Sequence, residues 1–176
     1  MKRLSRAEVE RTASELLHAL DAYDVPVPLE IVAHRLGLKV QRVPLGESVS
    51  GVLVVSEKGG RIGVNSEQPE VRQRFTIAHE LGHFVLHRGE SELFIDRTFR
   101  AFRNQDSATG KDRAEIQANQ FAAALLMPEE LLKREVGDDM IDLAEADLIN
   151  TLAERFGVSS QSMTFRLENL KLLEAD

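Results

Sequence analysis

The chain has no cysteine, so disulfides and thiolate metal sites are both excluded, and any zinc it binds must rest on histidine, carboxylate and water. It has no long apolar run either. The longest, Phe121 to Met127, is far too short to span a bilayer, and Met1 to Leu20 carries charge throughout, unlike the continuous apolar core of a secretion signal. A soluble cytoplasmic protein with no membrane partner is expected. Positive charge is in the minority. The 22 lysines and arginines stand against 29 acids, a formal net charge of -7, which argues against a protein whose main task is to coat nucleic acid or an anionic membrane. Hydrophobic residues are not scarce: 43% of 176 residues is enough for a real core in one domain, with room for a small appendage.

What the chain does have is the stretch Phe75 to His87, FTIAHELGHFVLH. Within it His79, Glu80 and His83 make the pattern His-Glu-any-any-His. A helix repeating every 3.6 residues sets positions i and i+4 about 40° apart, so two imidazoles can reach one ion. Glu80, roughly 100° round the axis from His79, can reach a water at that ion without occupying a ligand position. This is the layout of zinc-assisted hydrolysis: the metal lowers the pKa of water to about 7 and the carboxylate takes the proton. The bare pattern arises by chance in roughly one chain in two hundred of this length. Its context is sharper. Ile77, Ala78, Leu81, Phe84, Val85 and Leu86 surround the histidines, so the helix runs through the core, where two imidazoles need partners and a metal satisfies both. Gly82, costing about 1 kcal/mol in a helix interior relative to alanine, points to close approach of a neighbouring element.

Before this stretch, Leu4, Val9, Ala13, Leu16, Leu17 and Leu20 recur at helical spacing and predict an amphipathic helix over 5–22. Leu29 to Leu36 reads as a short helix closed by Gly37, and Leu38 to Val43 as a strand. His18 and His34 lie in these helices without metal-ligand spacing. The β-branched runs GVLVVS at 51–56 and RIGVN at 61–65, separated by Glu57-Lys58-Gly59-Gly60, predict a hairpin, which makes a three-stranded sheet. If an edge of that sheet borders the metal cleft, an extended peptide can add to it as a further strand. Arg88 to Gly110 has no clean period and reads as a long loop. Within it Arg97, Arg100 and Arg103 alternate with Phe94, Phe99 and Phe102, and a short helix with buried phenylalanines and solvated arginines is preferred over a nucleic-acid surface.

Lys111 to Met127 predicts a helix in which Ala118, Phe121, Ala122 and Leu125 form one stripe, small enough to let it approach the metal helix. Glu115 begins the same side, so it is the best candidate third ligand. Two histidines and one glutamate leave a fourth position for water, as a catalytic site needs. Taken alone Glu115 is equally well read as a solvated acid of the first turn, beside Asp112. Asn119, one turn on, is a candidate partner for a liganding side chain. His87 continues the line of His79 and His83 but lies about 6 Å further along, too far for all three to share one ion on a straight helix. It is ranked first as a supporting residue or helix-end cap, then as a stabiliser of the transition state, and last as a ligand. The only tyrosine, Tyr23, is remote in sequence, so the group that would stabilise an oxyanion is left unassigned.

Pro128 ends this helix and can start another. Beyond it, NTLAERFGVSSQSMTFRLENL, with Gly157 at a turn and Ser159 as a cap, has the outline of a helix-turn-helix. From Asp138 to Asp176 nine acids face three basic residues, a net of -6, so packing or protein recognition is preferred over direct DNA binding.

On RQRFTIAHELGHFVLHRG at 72–89 and EIQANQFAAALLMP at 115–128, supported by VPVPLEIVAHRLGLKV and LAERFGVSSQSMTFRLENL, the chain resembles the ImmA/IrrE family of zinc metallopeptidases. The resemblance spans most of the chain. It implies a zincin-like core in which His79, His83 and Glu115 match the family's metal ligands and Glu80 its catalytic glutamate. Characterised members cleave helix-turn-helix repressors, switching on mobile-element or DNA-damage genes. The additional C-terminal sensor domain of the radiation-response members is not expected here.

The expectation is an α+β protein, mostly helical with a small three-stranded sheet: a zinc metallopeptidase domain at 1–134 and a helix-turn-helix-like C-terminal module at 135–176. It would hold Zn2+ and cleave a helix-turn-helix repressor at one or few bonds. The rival, from a different class, is a non-hydrolytic transcriptional regulator that binds DNA or a repressor through the C-terminal module, with zinc only structural.

Overall fold

The computed structural model describes residues 4–56, 59–89, 91–97, 110–137 and 146–173. Helix α1, Arg6–Ala19, opens on Ser5, whose hydroxyl accepts from the Glu8 amide while Glu8 accepts from the Ser5 amide, satisfying two donors of the first turn. Val9, Ala13 and Leu17 form its buried stripe. Helix α2, Leu29–Arg35, stops before Gly37, whose φ of +77° is left-handed backbone that glycine adopts without strain, and strand β1 follows at Leu38–Val43. Strands β2, Val49–Ser56, and β3, Gly59–Asn65, pair antiparallel with Ser56 opposite Gly59, while β1 lies parallel to β3 on its other side.

Helix α3, Glu70–His87, leaves β3 through Pro69, which sits at its N-cap. The chain then returns to the sheet as β4, Leu93–Arg97, antiparallel to β2, so the order is β1-β3-β2-β4. Among the described residues the sheet therefore has four strands, not the expected three. The reason lies in an inverted pattern. Leu93 and Ile95 face outward, 51% and 45% exposed, while Phe94 and the acid Asp96 face inward. Pairing with β2 specifies this strand, and its own residues disguise it. The rest of the loop expected at 88–110, including the Phe99, Arg100, Phe102 and Arg103 segment, lies outside the described residues.

Helix α4, Gly110–Leu126, packs across α3, and α5, Glu129–Val136, starts after Pro128. The pair α6, Ala146–Phe156, and α7, Ser160–Leu170, is joined at Gly157 (φ +65°), with Ser159 capping α7 through the Ser162 amide. Leu152, Phe156, Met163 and Leu167 from this pair belong to the same buried cluster as Val9, Leu53, Ile77 and Phe121. Two arginines tie the pair down. Arg74 of α3 donates to the carbonyls of Gly157 and Val27, and Arg166 of α7 donates to Met127 O and pairs with Glu10 of α1. No helix among the described residues is long and apolar enough to cross a membrane.

The tightest approach is where α3 crosses α4. A Cβ built on Gly82 would lie 3.1 Å from both Cα and O of Ala118 and 3.3 Å from Cβ of Phe121. Ala118 is itself fully buried. Backbone cannot withdraw as a flexible side chain does, so a branched residue at 82 must push the helices apart. Gly82→Val is expected to destabilise the fold by about 1–3 kcal/mol, despite valine's better helix propensity, as read by chemical denaturation.

Candidate metal centre

That crossing sets Glu115 of α4 against two consecutive turns of α3. His79 and His83 are each 2% exposed and Glu115 is half-buried between solvent and the two rings. Nε2 of His79 lies 3.1 Å from Nε2 of His83 and 3.2 Å from one Glu115 oxygen; the other oxygen is 3.4 Å from Nε2 of His83. Two ligands of a tetrahedral zinc, each about 2.0–2.1 Å from the ion, stand about 3.3–3.4 Å apart. The observed spacings match that edge length.

The donor chemistry leads the same way. Nδ1 of His79 is 3.0 Å from Oδ1 of Asn119, which can only accept, so Nδ1 carries the hydrogen and Nε2 presents a lone pair. That lone pair meets a carboxylate oxygen and a second imidazole nitrogen. Three such groups converging on one point repel unless a cation lies among them, and a divalent metal satisfies all of them together. Without a metal the histidines can supply only protons. Burial opposes ionisation of Glu115, but its hydrogen bonds with His79 and then His83 outweigh that and hold its carboxyl far below the usual range. Among the described residues, His79, His83 and Glu115 are the group whose ligand atoms lie close enough to hold a metal ion.

Glu80 is placed beside this group and is fully buried, with neither oxygen hydrogen-bonded among the described residues. Burial raises its carboxyl pKa well above the ordinary value, and the negative charges of Asp96 and then Glu115 raise it further. The room for it comes from β2. A Cβ on Gly51 would lie 3.0 Å from Oε1 of Glu80 and 2.4 Å from Cγ2 of Thr76. A buried carboxyl without a hydrogen bond is costly to keep for packing alone, which makes Glu80 a candidate for chemistry.

The other residues singled out in the sequence divide. Asn119 meets His79 as its spacing suggested. His87 is buried one turn beyond His83, its ring 5.8 Å away, outside the three-residue group. Tyr23 stacks on His18, and nothing brings it to the centre. Its hydroxyl pKa is raised, first by burial. The side chain of Asp112 lies outside the described residues. Sequence reasoning missed two contributions from β4: Phe94 stacks on His83 with ring centroids 4.7 Å apart, and Asp96 lies close enough to both histidines, Glu80 and Glu115 to share their field. It also missed Arg72, seven residues before His79 and so on the same face of α3, with a guanidinium nitrogen 4.0 Å from Asp96. The signal for Arg72 was there in the spacing.

Comparison with known proteins bears on this geometry. The model of the Peptidase_M78 family, described as the IrrE N-terminal-like domain, matches residues 33–168. The chain is 26% identical over 107 residues to "Uncharacterized immunity region protein 2" of Bacillus phage phi105, a match covering 61% of this chain and 62% of that protein. Its fold is similar to that of a "Mycobacterium tuberculosis transcriptional regulator" at a TM-score of 0.54 and 16% identity, covering 92% of this chain and 46% of that one. The chain thus spans less than two thirds of either protein.

Metal titration of the purified chain tests the arrangement directly. Glu115→Ala and His83→Ala are each expected to abolish stoichiometric zinc in elemental analysis, whereas Asn119→Ala should retain zinc with an affinity about 10–100-fold weaker in chelator competition. Full zinc in Glu115→Ala would send the third ligand elsewhere.

Proposed function

This chain belongs to the Peptidase_M78 family, and on that premise we propose that it is a zinc-dependent, site-specific endopeptidase acting in the cytoplasm on a helix-turn-helix transcriptional repressor. The family indicates a metallopeptidase-type domain. The observation that carries the finer reading is the convergence of His79, His83 and Glu115 at tetrahedral edge spacing beside the buried carboxyl of Glu80.

In this proposal His79, His83 and Glu115 hold the ion, and Asn119 fixes the tautomer of His79. When bound, zinc supplies a Lewis acid for the scissile carbonyl and makes water a nucleophile near neutral pH. Glu80 is the general base: it takes a proton from the attacking water and returns it to the leaving amide nitrogen. Burial raises its carboxyl pKa, so it holds a proton more firmly than an exposed glutamate does, as a group that must take a proton and then pass it on requires. Strand β4 borders the centre through Phe94 and Asp96, and it pairs only with β2 among the described residues. Its other edge is where an extended substrate would add as a further strand.

The repressor as substrate is supported by the family resemblance and by the similarity to a phage immunity-region protein. The division at residue 134 belongs to the same proposal. In it, 1–134 forms the peptidase unit and 135–176 a helical module that buries Leu152, Phe156, Met163 and Leu167 in the common core. Direct DNA binding is disfavoured by the helix that would have to do it, since α7 spends Arg166 on Glu10 and Met127.

Glu80→Gln is expected to keep one zinc per chain and to lose repressor cleavage by a factor of about 10²–10⁴, followed by mass spectrometry of repressors co-expressed with the chain. Undiminished derepression by Glu80→Gln would favour the non-hydrolytic regulator.

A further inference from the structure

The outer face of the sheet is divided in two by its register. Lys39 of β1 pairs with Arg61 of β3, Arg61 with Val54 of β2, and Val54 with Leu93 of β4, so these residues form one row across all four strands. Two residues along, a second row runs Gln41, Gly63, Val52, Ile95. Successive residues of a strand face opposite ways, and Leu53 and Ile62, which lie between the rows, are buried in the core with Ile77 of α3. Both rows therefore point away from α3. A solvated sheet face ordinarily carries polar residues. β1 and β3 keep to this with Lys39, Gln41 and Arg61, all exposed, whereas β2 and β4 present Val54, Leu93 and Ile95, each close to half exposed.

Two further features of this face are costly while it stands uncovered. Lys39 and Arg61 are neighbours in register, and like charges side by side repel. Neither meets an acid among the described residues. Gly63 lies inside its strand with open space above it, since a Cβ there would meet nothing closer than the Val52 carbonyl oxygen at 3.8 Å, and its φ is outside the left-handed range. Neither crowding nor backbone geometry requires glycine at 63. A glycine in a strand interior weakens the strand and often marks a place where a ligand approaches closely. The face thus has a cationic side, an apolar side and a hollow at Gly63, between Gln41 and Val52. A face, unlike an edge, offers no backbone hydrogen bonds, so its occupant must satisfy its own, as a helix does. Arg61 and Lys39 favour acids on the flank of that helix.

We propose that this face docks an amphipathic helix of a partner protein, with its apolar stripe on Val52, Val54, Leu93 and Ile95, its acidic flank over Arg61 and Lys39, and one side chain seated over Gly63. Phe94, which stacks on His83, points to the opposite side of the sheet, so a helix docked here leaves the metal centre open. It covers a face and not the edge of β4. The inference goes beyond the peptidase reading and does not rest on it.

The test pans a phage-displayed library of amphipathic helices, randomised along the stripe and both flanks, against the full chain, with counter-selection on the double variant Arg61→Glu/Gly63→Thr. Surviving clones should carry Leu, Ile, Phe or Met on the stripe and Asp or Glu on one flank. A fluorescein-labelled synthetic peptide of the leading clone should bind Arg61→Glu, Gly63→Thr and Leu93→Gln each at least about tenfold more weakly than the parent, read by anisotropy. Gly63→Thr guards against misfolding as the cause: threonine suits a strand better than glycine and has room at this position, so its melting temperature should not fall. No surviving clone, survivors with basic or neutral flanks, or an unchanged affinity for Leu93→Gln would overturn the proposal. So would a concentration-dependent dimer of the parent that Gly63→Thr abolishes in sedimentation, since a second copy would then be the occupant. No readout here involves cleavage, so the docking face and the peptidase reading can fail separately.

Discussion

The site depends on one contact, the near-touching of the α3 and α4 backbones at Gly82 and Ala118. His79 and His83 lie on one helix and Glu115 on the other, and an ion held by all three would leave no slack between the two axes. Glycine and alanine at the crossing allow that separation, with Phe121 closing over it. The helix propensity given up at Gly82, about 1 kcal/mol, is small beside the cost of converging lone pairs left without a cation. Close packing here is what brings the three candidate ligands together.

The sheet imposes a second constraint on the same helix. β2 lies over α3 with Gly51 above Thr76 and Glu80, and the missing side chain makes the space in which the Glu80 carboxyl is shut from water. β4 then adds Phe94 against the His83 ring and Asp96 among the charged groups. Desolvation comes first in raising the Glu80 pKa and the neighbouring acids come second. Asp96 is also raised, by burial above all, while the histidines and Arg72 pull it down. Two glycines, one on a helix and one on a strand, thus set the distances and the dielectric of the whole centre.

What could be read from the chain follows from how local each signal is. The helix of Phe75 to His87 and the hairpin of β2 and β3 were legible, because apolar periodicity and the break at Glu57-Lys58-Gly59-Gly60 act within a few residues. Gly82 was legible as a close approach, although only the structure names Ala118 as what approaches. Glu115 and Asn119 stood out because α4 is amphipathic with small residues on the facing stripe. β4 was missed because Phe94 and Asp96 point inward while Leu93 and Ile95 point out, which reverses the usual alternation and reads as loop. Its strand character is conferred by β2, and no window of sequence around it contains β2.

The C-terminal helices show the same distinction between outline and use. Gly157, Ser159 and the apolar spacing of α6 and α7 specify a tight helix pair, and that much is local. Whether such a pair reads DNA depends on where its cations point. Arg166 is 2% exposed and bound to Glu10 and Met127, and Arg155 pairs with Glu135, so two of the module's three basic residues are committed within the protein. Stripping Arg166 from those partners to meet a phosphate would leave Glu10 unpaired and a carbonyl unsatisfied, at a cost of about 3–5 kcal/mol for a buried pair. A nonspecific phosphate contact does not recover that at physiological salt. Arg166 thus serves α7 as the tie that holds the helix against α1 and the end of α4, while Phe165 is left outward.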